Sequence, residues 1–418
     1  MNALLLLLAL CAAPANAAEA LTLEAAVAAA LENQPRAAAA RARADAARAR
    51  AGQAHAAYYP QVSIAADWTR SRAFYPILGA GLARETEVNS ASVQLRQTLY
   101  DFGRTSGAAK TARLDRAAAE QAHAGARQDV VLRVKEAYYL VLAAERQVAA
   151  ERETAAAREE VFRQARGFHE EGVRSKLDVT RAEADLHAAK TALIRAENNR
   201  ELARVELASA MGGPGAEARP LAEPAAALPA LADRDEARRL ALAGSPEIRR
   251  LDSLLGAAQA GARAARSDYL PVLSGAASAG RADGSFPPRG SVWSAGVGLS
   301  VPIFSGFSTR AKAREADAAL RSVAAERADM ELAVGKQADA AWLAVREADA
   351  RLESTGKQEE AARESRTLAS ERYREGVGSI IEVTDAQSSA IAAESARIQA
   401  AYDARIARAR LERALGRE

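Results

Sequence analysis

The chain states one plan twice, and that duplication limits its fold more than any other feature. Pro35 and Pro60 stand 25 residues apart, and so do Pro246 and Pro271, in Gly244-Ser245-Pro246-Glu247 and Asp268-Tyr269-Leu270-Pro271. The offset between copies is 211 at these prolines and 204 farther on, where Tyr100 matches Phe304, Val130 matches Val334, Tyr138 matches Trp342 and Val141 matches Val345. Glu171-Gly172-Val173 matches Glu375-Gly376-Val377, and Met211-Gly212 matches Leu415-Gly416. The seven-residue difference must be absorbed between Pro60 and Tyr100, which predicts a loop of unequal length there. Pro214, Pro220, Pro224 and Pro229 lie between the copies and exclude a helix, because proline has no N–H to donate. The predicted organisation is a leader over 1–17, a first repeat over 18–212, a proline-rich linker over 213–233 and a second repeat over 234–418.

The leader reads as a secretory signal peptide. Leu4 to Leu10 form an apolar core, Pro14 breaks it, and Ala15-Asn16-Ala17 is a small-residue cleavage site, although no Lys or Arg precedes the core. Cys11 is the one cysteine and falls inside it, so the processed chain has no disulfide and no thiolate metal ligand. No later stretch is long and apolar enough for a membrane-spanning helix.

Each repeat has the same internal order. A helix over Leu23–Tyr58, or Arg234–Asp268, stops ahead of a proline. A strand hairpin follows, with Val62, Ile64, Ala66 and Trp68 alternating with Ser63, Ala65, Asp67 and Thr69. Val93, Leu95, Gln97 and Leu99 alternate with Ser92, Gln94, Arg96 and Thr98, and Trp293, Ala295, Val297, Leu299 and Val301 alternate with small residues in the second copy. Apolar on one face and small polar on the other suits a sheet between two media. Next comes a long helix, Thr105–Glu170 or Thr309–Arg374. Its apolar residues (Val130, Val134, Tyr138, Val141, Val148; Met330, Val334, Ala338, Ala341, Val345, Ala348, Leu352) recur in steps near three and four, a coiled-coil seam. A glycine turn reverses the chain into a return helix, Leu177–Met211 or Ile381–Leu415. Aromatics are only 5% of the chain while alanine is abundant, a composition for closely approaching helices rather than a bulky globular core.

Length sets the assembly. About 65 helical residues span on the order of 100 Å, and the two shorter helices together cover about the same distance. A rod of antiparallel helices is expected, with hairpins at one end and glycine turns at the other. In lipid only helix bundles and closed barrels satisfy the backbone, and four strands cannot close a barrel, so several chains would have to contribute. A soluble hairpin packed on the bundle is the alternative reading of the strands.

The order helix, Tyr-x-Pro, hairpin, Leu99-Tyr100-Asp101-Phe102-Gly103-Arg104, long helix, Gly172-x-x-Ser175-x-Leu177-Asp178-Val179, all of it duplicated, resembles the TolC family. Val301-Pro302-Ile303-Phe304-Ser305-Gly306 and Gly376-Val377-Gly378-Ser379-Ile380-Ile381-Glu382-Val383 carry the second copy. The resemblance implies a mostly α fold with a small β part: duplicated long helical hairpins and four strands per chain, forming in a homotrimer a twelve-stranded barrel continuous with a helical tunnel. It implies a passive exit duct in bacterial outer-membrane lipid, serving a periplasmic adaptor and an inner-membrane pump of RND, ABC or MFS type. A periplasmic adaptor is the main rival, opposed by the duplicated plan, and a soluble coiled-coil scaffold the second, opposed by Pro60, Pro271 and the alternating strands.

In similar proteins acidic residues ring the tunnel constriction, and the matching positions are Glu382 and Asp385; as plain first-turn acids they would also favour a helix N-terminus. The gate residues of similar proteins are matched by Tyr373 and Asp178, whereas Gly378 stands where an arginine is expected and Arg174 or Lys176 could substitute. Adaptor docking is expected at Gly172-Val173-Arg174-Ser175 and Gly376-Val377-Gly378-Ser379, and Trp68 and Trp293 suit a membrane-interface band. No enzyme is indicated. His55, His123, His169 and His187 lack metal-ligand spacing, no phosphate loop is present, and no cofactor is implied. With 57 basic against 54 acidic residues there is no strong pull toward nucleic acid.

Overall fold

The computed structural model describes residues 20–77, 80–213, 219–224 and 233–417; the leader lies outside them. Each repeat supplies two short helices, a hairpin, a long helix and a return helix. The first runs α1 (Leu23–Asn33), α2 (Pro35–Ala56), β1 (Gln61–Ile77), β2 (Ala80–Tyr100), α3 (Arg104–Glu170) and α4 (Lys176–Met211). The second runs α5 (Arg234–Gly244), α6 (Pro246–Ser267), β3 (Val272–Asp283), β4 (Gly290–Ser300), α7 (Ser308–Arg374) and α8 (Ile380–Ala414). Both long helices contain 67 residues.

Two expectations change. The helix expected over 23–58 is two helices, and so is its counterpart. Gln34 and Ser245, each ahead of a proline, are extended (φ −71°, ψ 118° and φ −62°, ψ 120°). The proline ring disfavours α geometry in the residue before it but suits the first turn of the helix after it. The break has a use: the Gln34 side-chain amide donates to the carbonyls of Ser209 (3.0 Å) and Ala210 (2.9 Å), satisfying the end of α4. The seven extra residues of the first hairpin also enter paired strands, 17 and 21 residues long against 12 and 11 in the second, rather than a longer loop.

The contact map resolves two units, each drawing on both repeats. In one unit, residues 1–39, 126–245 and 334–418, charged contacts set the lateral order α4–α3–α8–α7. Arg204 reaches Glu145 at 2.8 Å, Lys135 reaches Glu412 at 2.7 Å, and Arg408 holds Asp349 through both terminal nitrogens at 2.7 and 2.9 Å. The predicted seam is its core: Val134, Tyr138 and Val141 are fully buried with Leu207 of α4. Each such side chain contributes about 1.5–3 kcal/mol by leaving water. Tyr138 also ties the linker to the start of the chain. Its hydroxyl lies 2.7 Å from the carbonyl of Leu21 and 2.5 Å from that of Ala222, and Leu21 bridges Leu221 in parallel. Glu223 is held by Arg146 and, at 3.2 Å, by the hydroxyl of Tyr402.

The other unit, residues 40–125 and 246–333, holds the sheet, ordered β1-β2-β3-β4 and antiparallel throughout. The register pairs Ile64 with Val93, Val93 with Ala279, and Ala279 with Trp293. Directly paired residues share a face, so the alternating apolar positions of all the strands fall together, on one side. That side is exposed in the single chain. On the other side Ser278 and Ser294 meet hydroxyl to hydroxyl at 2.9 Å. β1 and β4 are the sheet's edges.

Burial pushes the Tyr138 hydroxyl up to about 12, the hydrogen bond to Ala222 opposing it. An unfolded tyrosine ionises near pH 10, so this group's contribution is intact below that pH and is lost as pH rises toward 12. Tyr138→Phe should cost about 1–3 kcal/mol at neutral pH, because the Ala222 carbonyl loses the hydroxyl and the Leu21 carbonyl is left with only the Ala222 N–H. It should also flatten part of the alkaline decline; urea titrations at pH 7 and pH 11 measure both.

Candidate functional site

The two helix-reversing turns are built alike, from residues 204 positions apart. Gly172 and Gly376 carry positive φ (75° and 79°), where a side chain would clash with its own backbone. After them the N–H of Val173 donates to Phe168 (2.9 Å) and that of Val377 to Arg372 (3.0 Å). The next N–H groups, of Arg174 and Gly378, return to the same two carbonyls at 3.2 and 2.9 Å. Arg174 and Gly378 are therefore equivalent positions. The first turn has an arginine at this position and the second a glycine.

Packing explains the exchange. A Cβ on Gly378 would lie 2.9 Å from the Tyr373 nitrogen and 3.0 Å from the Arg372 carbonyl carbon, too close for any side chain. Arg174 instead reaches across: its guanidinium stands 5.1 Å from the centre of the Tyr373 ring, within cation–π range, and 3.5 Å from the Gly378 carbonyl. Lys176 opens α4 and has no such contact among the described ones.

Tyr373 is buried against Ile380, Val383 and Phe168, and among the described residues its hydroxyl has no hydrogen-bond partner. Burial pushes that hydroxyl's pKa up, Arg174 works against the rise and Asp178 adds to it. Asp178 thus feels Tyr373 but does not bond to it here. Farther along α3, Arg158 is buried and joins three helices, donating to Ser388 at 3.0 Å and facing Asp185 at 3.6 Å.

The acidic pair divides. Ser379 caps α8 by accepting from the Glu382 N–H at 3.2 Å, and the exposed Glu382 carboxylate faces Arg372 at 3.6 Å. Asp385, one turn on, is exposed, and no ion pair is described for it. Val173, Leu177, Val377 and Ile381 expose apolar side chains around the two turns.

On the sheet, Trp68 and Trp293 share the apolar face. Trp68 closes an apolar run that starts at Val62, and its indole N–H donates to Glu87 at 2.8 Å. Beyond it Arg70 and Glu85 pair at 3.0 Å, so the face turns polar there. Sequence reasoning missed the aromatics at the opposite strand ends. Tyr59, Tyr100, Phe102, Tyr269, Phe304 and Phe307 are all exposed at the strand–helix junctions. Phe102 and Phe307 even hold positive φ (54° and 66°), which costs a bulky residue about 1–2 kcal/mol. The signal was the aromatic content of the junction motifs themselves. Among the described residues no acidic, His or Cys cluster could hold a metal, and no helix is long and apolar enough to cross a membrane.

The family model described as outer membrane efflux protein matches residues 26–213 and 237–417. The chain belongs to that family. It is 29% identical over 356 residues to protein CyaE of Bordetella pertussis, covering 83% of this chain and 74% of that one. It is 29% identical over 244 residues to the alkaline protease secretion protein AprF of Pseudomonas aeruginosa, over 56% of this chain and half (50%) of AprF's length. The outer-membrane channel OprN has the same fold, with a TM-score of 0.84 at 24% identity over 95% of this chain and 90% of that one. This is an outer-membrane channel protein whose helical part is periplasmic, as the TolC resemblance implied, and the family is one of channels rather than enzymes.

Gly378→Ala should strain the second turn through the backbone contact at Tyr373, at a cost of about 1–3 kcal/mol. Amide exchange at Val377 and Gly378 should quicken, while that at Val173 and Arg174 stays unchanged.

Proposed function

We propose that three copies of this chain form a passive exit duct, with the sheets closing into a twelve-stranded barrel in the outer membrane. The observation that carries this reading is the open four-stranded sheet, apolar on one exposed face with β1 and β4 as its edges. Lipid offers a backbone no hydrogen-bond partners, so such a sheet must close on other copies. Trp68 and the junction aromatics suit the two interfacial belts of a barrel.

The turns are the duct's periplasmic entrance. Arg174, packed on Tyr373 and reaching Gly378, holds the two helical hairpins together in the closed state, in the place of an arginine in the second turn. Asp385, with Glu382 behind it, supplies carboxylates to the constriction and favours cations. The exposed Val173, Leu177, Val377 and Ile381 receive a periplasmic adaptor, which couples the duct to an inner-membrane pump of RND, ABC or MFS type. The names of AprF, a secretion protein, and of efflux-pump relatives in Pseudomonas putida support a duct served by such pumps.

The protein should migrate on unheated gels as an outer-membrane trimer that boiling dissociates; a soluble monomer would overturn the proposal. In planar bilayers Glu382→Gln with Asp385→Asn should lower cation selectivity several-fold. Arg174→Ala should raise the open probability of the same channel.

A further inference from the structure

The polar side of the sheet is nearly free of charge, and the exception stands at its base. Successive rows across the four strands read Ser63–Gln94–Ser278–Ser294 and then Gln61–Arg96–Ala276–Gly296, with Thr98, Ser274 and Gly298 in the row beyond. Directly paired residues share a face, so Arg96 is set among small or uncharged side chains. In the other direction the next charge on that side is Asp67, six residues along β1 from Gln61. At about 3.3 Å per residue the gap is about 20 Å, well beyond the screening length of about 8 Å at physiological salt. Asp101, past the end of β2, is taken up by the N–H groups of Gly103 and Thr105 at 3.2 and 2.7 Å. Arg96 is exposed, and among the described residues it has no hydrogen bond or ion pair.

Arg96 lines a cleft of about 700 Å³ with Gln53, Tyr59, Gln61, Thr98 and Ser274. Among the described residues no carboxylate lines it, and Arg96 is the one charge on its wall. Two glutamines fasten the base of the sheet to the end of α2. The Gln61 amide donates to the Ala56 carbonyl at 3.2 Å, and the Gln97 amide donates to the Tyr58 carbonyl at 2.9 Å. Carbonyls at a helix C-terminus carry the partial negative charge of the helix dipole. With amides bound to them, they oppose the guanidinium less. The Thr98 and Ser274 hydroxyls and the Gln53 amide add neutral donors. A guanidinium presents a planar fork of N–H groups that matches the oxygens of a carboxylate or a phosphate.

We propose that Arg96 is an anion site in the lumen of the barrel, taking the carboxylate, sulfonate or phosphate groups of solutes on their way out. This rests on the assembly proposed above, in which the apolar side of the sheet meets lipid and the alternate residues meet the water-filled lumen. Three copies place three guanidinium groups at one level, one on every fourth strand. The repeat equivalent of Arg96, 204 positions on, is Ser300, so the ring holds three charges rather than six. Its sign is opposite to that of Glu382 and Asp385. The duct then has one station for cations and another for anions, as charged rings in pores select ions of opposite sign.

Citrate, added in planar bilayers on the side the barrel faces, should block the current. Arg96→Gln should weaken that block about tenfold, while Arg96→Lys keeps most of it. Higher salt should weaken the block of the unaltered protein. Arg70→Gln, on the other side of the sheet, should leave it unchanged. Titration calorimetry of the detergent-solubilised trimers with citrate reads the same site when the entrance is shut, and should show binding that Arg96→Gln removes. Equal block or equal binding in Arg96→Gln, or an equal loss in Arg70→Gln, would overturn the site and leave the duct standing. A protein that runs as a monomer on unheated gels and carries no current would instead sink the assembly, and the site with it.

Discussion

A peptide group in hydrocarbon has no water to bond with, and the architecture of this chain follows from that constraint. Its strands alternate apolar and small polar residues, so they can form a sheet between lipid and water, but four of them leave two unpaired edges. An open edge in lipid costs several kcal/mol for each orphaned group. The chain is therefore complete in its secondary structure and incomplete in its hydrogen bonding. What it lacks is supplied by repetition, first within the chain between β2 and β3, then between copies.

The helices solve a related problem with other means. A 67-residue helix rich in alanine offers little area per residue, so stability has to be gathered along its length. It comes as a thin seam of Val, Tyr and Ala flanked by ion pairs between neighbouring helices. Exposed pairs of this kind contribute less than about 1 kcal/mol each; their larger effect is on register, because a helix shifted by one turn would separate the partners. The broken joint at Gln34 acts at the end of α4, where terminal carbonyls need donors.

Much of this was legible in the residues, for physical reasons. The long helices begin and end within one residue of their expected limits, because glycine at positive φ and the Asp101 and Ser305 caps are local signals. The alternation of the strands survives in the observed register, because a period of two leaves no other way to sort the side chains. Pro35 and Pro246 misled because proline is allowed at a helix start, so a break and a continuation read alike until the partner of Gln34 is seen. Arg174 was one of two possible substitutes for the missing arginine. That Arg174 is the one beside the Tyr373 ring required knowing that the two turns are built alike and that Gly378 lies on the backbone of Tyr373. The carboxylates at Glu382 and Asp385 could not be told apart in sequence, since Arg372 comes from the helix before the turn.

The exchange of arginine and glycine between the turns has a consequence for symmetry. Two copies of one hairpin per chain would give a three-membered ring six nearly identical tips. With a guanidinium at Arg174 and bare backbone at Gly378, the tips instead alternate in what they present at this position. A ligand that touches both turns of one chain therefore meets two different surfaces. Duplication made the tips alike, and a single side chain that fits in one turn and not in the other reduces six-fold to three-fold.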